Sequence, residues 1–125
     1  MKKLSDKAVE LLLVEQRFSQ TEFCKMHGLD LGNFCSRKNK GTLTIKTIEL
    51  IYSMFDIEFN LMQELKALVK KELEGKNPTI NIPKKLGITY NRAMYFVNGS
   101  KGSMQMIEQL YSFNPEAYEI INNYL

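Results

Sequence analysis

A chain of 125 residues suits one domain or two very small ones sharing a core, since units below about 60 residues bury little surface alone. A hydrophobic fraction of 44% and a charged fraction of 25% exclude a disordered chain, two cysteines are too few for a disulfide scaffold, and no apolar run approaches the roughly 20 residues needed to cross a bilayer. The net charge of +3 is modest, so a polyanion must be met by local clusters of cations.

The opening Met1-Lys2-Lys3-Leu4-Ser5-Asp6 lacks the apolar stretch of a secretory signal. A cytoplasmic address and reduced thiols at Cys24 and Cys35 are therefore expected. The first helix is predicted from about Ser5 to Arg17, capped by Ser5 or Asp6, with Val9, Leu12, Leu13 and Leu4 on its buried stripe. Ser19-Gln20-Thr21-Glu22 forms a capping box that starts a second helix, which carries Phe23 and Met26 inward and stops at Gly28. Leu29 turns into the core, and Asp30 caps a third helix over about Leu31 to Lys38, the first candidate recognition helix.

Thr42 to Thr44 lead into a fourth helix, apolar at Ile45, Ile48, Leu50, Ile51, Met54 and Phe55. Asp56 or Asn60 then caps a long amphipathic stretch that ends at Gly75, with Met62, Leu65, Val69 and Leu73 on one face and Leu61 and Leu68 beside them. Asn77-Pro78-Thr79 is a loop whose threonine caps a short helix from Ile80 to Leu86, placing Pro83 late in the first turn. Gly87-Ile88-Thr89 repeats the turn and cap before a second candidate recognition helix, Tyr90 to Val97, with Ala93, Phe96 and Val97 inward. A loop of Asn98-Gly99-Ser100-Lys101-Gly102 follows, then a helix burying Met104, Ile107, Leu110, Tyr111 and Phe113. Asn114-Pro115-Glu116 opens the last helix, through Tyr118, Ile121 and Leu125.

Displaced by 59 positions, the chain overlies itself without a gap: Gly28 falls on Gly87, Leu29 on Ile88, Asn39 on Asn98, Ile48-Glu49 on Ile107-Glu108, and Tyr52-Ser53 on Tyr111-Ser112. Each copy has the layout of a helix-turn-helix unit. Charge follows the same division. Between Gly75 and Ile107 there is no acid, but Lys76, Lys84, Lys85, Arg92 and Lys101 are present; residues 17–46 hold Arg17, Lys25, Arg37, Lys38, Lys40 and Lys46 against Glu22 and Asp30. The acids gather in 47–74 and in the tail, at Glu108, Glu116 and Glu119. Segregation of this kind is expected if both recognition regions meet a polyanion, although ordinary solvated surface is another account of it.

These residues resemble the phage-repressor, or Cro-like, helix-turn-helix family. The match rests on Gly87, Ile88, Thr89, Ala93, Phe96 and Gly99 in the second copy and on Gly28, Leu29, Asp30, Phe34 and Asn39 in the first. The first copy departs in having Arg37 where an apolar anchor is usual and Gly32 inside the helix, which costs about 1 kcal/mol relative to Ala. Independently of the family, the major groove admits an α-helix and displays a distinct donor and acceptor pattern for each base pair, so exposed positions early in the helix must carry hydrogen-bonding groups. Asn91 and Arg92, with Tyr90 and Tyr95, are the candidate base readers of the second copy, and Asn33 and Ser36 those of the first. Arg37, Lys38, Lys40, Lys84, Lys85 and Lys101 are the candidate phosphate partners, which orient without selecting.

The chain is thus expected to be all-α, with tandem helix-turn-helix modules over residues 1–58 and 59–125 joined by a long amphipathic helix, sharing a core and capable of forming one compact domain. If helical throughout, Ile57 to Glu74 spans 18 residues, about 27 Å against the roughly 34 Å between successive major-groove faces. One chain can then imitate a repressor dimer; a homodimer stays open. The expected function is that of a sequence-specific transcriptional regulator on double-stranded DNA; the resemblance implies a small phage- or plasmid-type repressor. The alternative is a helical protein-interaction module, such as a phage-encoded inhibitor or antirepressor, using these surfaces on an acidic protein partner. RNA is a third partner, for which no aromatic platform or glycine loop speaks.

Cys24 and His27 lie one helical turn apart, but with Cys35 they match no closed tetrahedral site, and packing thiols with a surface histidine are expected instead. No nucleophile and base pair or phosphate loop is visible, so neither enzymatic activity nor a cofactor is expected. Met54, Met62, Met94, Met104 and Met106 are expected to fill the core more than an interaction face. Tyr111, Phe113, Tyr118 and Tyr124 fit either the chain's own core or a dimer contact.

Overall fold

Side-chain caps set most helix starts in this chain. The oxygens of Ser19, Asp30, Thr44, Thr89, Ser103 and Asn114 each accept the backbone N–H three residues on, at 3.0–3.3 Å. Each such cap supplies an acceptor for an amide that has no partner within its helix, worth about 1 kcal/mol. A computed structural model, which describes residues 2–15, 19–99 and 103–125, is all-α: among these residues there are nine helices and no strand. None of the helices is long and apolar enough to cross a membrane.

The chain divides into two compact units, Met1–Phe59 and Asn60–Leu125. The first holds α1 (Lys2–Glu15), α2 (Gln20–Met26), α3 (Leu31–Lys40) and α4 (Ile45–Met54). Helix α1 packs on α3 and α4, and α2 packs on α3. Leu4, Ala8, Leu12, Phe23, Phe34, Leu43, Ile48 and Ile51 form the core, each large apolar side chain contributing about 1.5–3 kcal/mol through burial. Ser5 sits inside α1 and caps nothing: it is fully buried, and its Oγ accepts the Leu43 N–H at 3.2 Å. That bond ties α1 to the segment before α4.

The second unit holds α5 (Leu61–Leu73), α6 (Pro78–Leu86), α7 (Tyr90–Val97), α8 (Met104–Phe113) and α9 (Pro115–Asn122). Helix α5 packs on α6, α7 and α9, while α8 packs on α6 and α9. Its core comprises Leu61, Leu65, Val69, Ile82, Leu86, Ala93, Phe96, Ile107, Leu110, Ala117 and Ile121. The Tyr124 hydroxyl donates to Glu64 Oε2 at 2.5 Å, fastening the end of the chain to α5.

Several expectations are corrected. The amphipathic stretch from Ile57 is not one rod, because α4 closes with Asp56 at φ 53 while the Asp56 and Ile57 N–H groups donate to Ser53 and Tyr52 carbonyls, a Schellman closure. Helix α5 therefore starts only at Leu61, has 13 residues, and belongs wholly to the second unit, so the 18-residue span invoked for two grooves does not form. Helix α3, expected to end at about Lys38, continues through Asn39 to Lys40 and closes at Gly41, φ 68, a left-handed turn that glycine takes without a Cβ clash. Proline needs no amide partner at the first helical position, so α6 begins at Pro78 instead of being capped by Thr79, and Pro83 lies in its interior. Leu13 and Met26, placed inward from the sequence, are 50% and 58% exposed because their helices turn Leu12 and Phe23 to the core instead. The predicted end of α1 at Arg17 and the loop residues Ser100, Lys101 and Gly102 lie outside the described residues.

Helices α5, α7 and α8 start 59 positions after α1, α3 and α4, and α6 starts 58 after α2. Phe34 and Ala93, Ile48 and Ile107, and Ile51 and Leu110 are buried in pairs at the same displacement. The first helices break this register. Leu4, Ala8 and Leu12 are buried in α1, whereas Leu61, Leu65 and Val69 are buried in α5, a displacement of 57. A two-residue change of phase turns a helix by about 200°, so α1 and α5 bury different faces of the aligned sequence.

Candidate nucleic-acid interface

The corner between α6 and α7 is built from local rules. Gly87, at φ 70, ends α6 with its N–H donated to the Pro83 carbonyl at 3.1 Å, and Ile88 is buried behind it. Thr89 Oγ1 then accepts the Arg92 N–H at 3.2 Å and starts α7. Burial of Ala93 and Phe96 fixes the rotation of α7 and leaves Asn91 and Tyr95 exposed, Tyr95 by 71%. Tyr90 and Arg92 are half-buried.

Arg92 does not stand clear of its unit. Its Nη1 donates to Gln109 Oε1 of α8 at 2.8 Å. Lys84 is exposed at the end of α6. Lys85, exposed, lies 3.6 Å from Oε2 of the half-buried Glu72, a pair at the surface worth about 1 kcal/mol, and its carbonyl accepts from Asn114 Nδ2 at 2.9 Å. Lys101 lies outside the described residues.

In the first unit, Gly28 takes φ 64 and the Leu29 N–H donates to the Cys24 carbonyl, closing α2. Asp30 caps α3, on which Asn33, Ser36, Arg37 and Lys40 are exposed. Arg37 is exposed where its counterpart Phe96 is buried, so the cation at this anchor position costs the core no buried charge. Lys38 is half-buried, and its Nζ donates to Gln20 Oε1 at 3.0 Å instead of standing out as a phosphate partner.

Gln20 and Gln109 hold two of the cations expected to contact DNA, Lys38 and Arg92. Gln20 was visible only as the second residue of a capping box, and Gln109 only as a polar position beside the α8 stripe. Neither carries a local signal of the cation it meets.

The corner of thiols and histidine differs from expectation in one respect. His27 is half-buried, its ring 5.0 Å from that of Phe23, and Nε2 is buried without a hydrogen bond among the described residues. It is not a surface histidine, because packing of its ring on Phe23 turns that nitrogen inward. Cys24 is buried, and burial, with charge at Cys35 and Asp30 adding to it, raises the thiol's pKa. Cys35 is half-buried, with Sγ 3.7 Å from Gln20 Oε1. Among the described residues no cluster of three or more His, Cys, Asp or Glu could hold a metal ion.

Of the methionines, Met62 and Met106 are buried, Met54 and Met104 half-buried, and Met94 36% exposed. Phe113 and Tyr118 are 53% and 48% exposed, which corrects the expectation that Phe113 is a core residue. Its ring covers the Gly87 turn instead of entering the interior. Tyr111 and Tyr118 pair with centroids 4.7 Å apart.

Comparison with known proteins gives no match, either to a protein-family model or to a curated protein or a solved structure.

Proposed function

We propose that the chain is a sequence-specific DNA-binding transcriptional regulator acting in the cytoplasm by binding and not by catalysis, with α7 entering the major groove and α6 crossing the backbone. The observation that carries this reading is the α6–α7 corner: a left-handed glycine, a threonine cap and a helix that buries Ala93 and Phe96 while exposing Asn91 and Tyr95. The surrounding stretch from Lys76 to Met106 carries cations and no acid. Asn91 pairs with adenine, Arg92 with guanine, and Lys84 with a phosphate. The α2–α3 corner serves as a second, more phosphate-directed module through Arg37 and Lys40. The repressor label, of phage or plasmid type, rests on the resemblance alone.

Anisotropy titration of random duplex DNA against salt tests the reading. Neutralising about five phosphates gives a slope of log affinity on log salt near −4.5. Absence of binding at low salt refutes it. Arg92→Ala is expected to reduce discrimination between sites, whereas Lys84→Ala weakens binding to every sequence alike.

A second reading, a protein-interaction module for an acidic partner, is favoured by one observation. Ile80 on α6 and Tyr95 on α7 are 66% and 71% exposed, giving this basic region apolar side chains that a partner protein would cover.

A further inference from the structure

We infer that Gln109, on α8, is a positioning residue that sets the base specificity of Arg92 on α7; the inference rests on the DNA-binding reading and names how its site selects. Arg92 is held at both ends. Its backbone N–H is donated to Thr89 Oγ1 at 3.2 Å, and its guanidinium Nη1 to Gln109 Oε1 at 2.8 Å. Gln109 is half-buried, and its neighbour Leu110 is fully buried in the core, so the acceptor stands on a fixed element.

A guanidinium has five donors in one plane, and the bond to Gln109 takes one of them from Nη1. The side edge formed by Nε and Nη2 is not used by that bond. This is an edge that matches two acceptors lying side by side, as guanine presents with O6 and N7 in the major groove. An unrestrained arginine spreads over many rotamers and meets phosphates as readily as bases. Bound to Gln109, the fork keeps one plane, and the entropy of ordering it is lost on folding instead of on binding. Gln109 thus turns a general cation into a base reader.

The test compares the wild-type chain, Gln109→Ala, Gln109→Met and Arg92→Ala on two duplexes, one recovered from a random library with the wild-type protein and one of random sequence. Gln109→Met keeps the volume and removes the acceptor, so it remains informative if the alanine variant folds poorly. The expected result is that loss of the acceptor narrows the ratio of selected to random affinity about tenfold, the range of one bidentate base contact. The slope on salt for the random duplex should steepen by no more than about 0.9, the one phosphate contact that a released Arg92 can add, and Arg92→Ala combined with Gln109→Met should lose no more preference than Arg92→Ala alone. A preserved ratio in Gln109→Met, or additive losses in the double variant, overturns the inference while leaving DNA binding standing. A wild-type protein that recovers no fragment from the library and does not bind the random duplex at low salt overturns both, and the two failures are thereby distinguished.

Discussion

At the residue scale, the two cysteines occupy different environments 11 positions apart. Cys24 is 2% exposed and its thiol is held protonated by burial, whereas Cys35 is half-buried beside Gln20. Because the thiolate is the reactive form, iodoacetamide at neutral pH should label Cys35 first, with Cys24 labelled only as the first unit opens. Mass spectrometry of partly alkylated protein checks this; equal labelling of both would contradict the buried position of Cys24. Residue roles were the least legible part of the sequence. Asn91 and Tyr95 were placed outward because Ala93 and Phe96 set the helix phase. The amides of Gln20 and Gln109 lie 18 and 17 positions from the cations they hold, and no local pattern encodes such a meeting.

At the element scale, caps and glycines were legible because each is a short-range rule. Ser19, Asp30 and Thr89 accept the amides their spacing implied. What escaped was tertiary: Ser5 has the chemistry of a cap but serves a distant amide, and Leu13 continues an apolar run of which α1 turns Leu12 inward and Leu13 out. The two turn glycines separate local from tertiary demands. At Gly28 a Cβ would meet nothing within 4 Å, so Gly28→Ala should cost only the left-handed strain, about 1–2 kcal/mol. At Gly87 a Cβ would lie 2.6 Å from Phe113 Cγ, adding overpacking of about 1 kcal/mol or more. Urea unfolding should rank Gly87→Ala as the more destabilised, and Phe113→Ala should bring it back toward the Gly28→Ala value. Equal losses in the two glycine variants would show that the ring does not brace the turn.

At the scale of the whole molecule, an all-α chain was legible from periodicity alone, but the extent of its helices was not. The Ile57–Glu74 pattern is continuous in hydropathy, and only the left-handed Asp56 and the closure on Tyr52 interrupt it. The chain's stability should also fall in alkali. Burial raises the Cys24 thiol above its ordinary 9.0 and the Tyr52 phenol above 10.0, so the folded state keeps protons that the unfolded state releases. Stability from these groups is complete below pH 9.0 and declines as pH rises past it. Unfolding midpoints measured by circular dichroism from pH 7 to 11 should show this decline, and Cys24→Ala should delay its onset toward the tyrosine range. A midpoint independent of pH across this range would contradict the cause assigned here.

The change of phase between α1 and α5 has a genetic consequence. A crossover joining the halves at the 59-residue offset would put Gln63 and Lys71 where Leu4 and Leu12 fill the interior of the first unit. Such a hybrid would bury an amide and an ammonium in an apolar space, at a cost that a small unit cannot bear. The same mismatch opposes α1 of one molecule taking the place of α5 in another, one route to tangled oligomers among chains with internally similar halves.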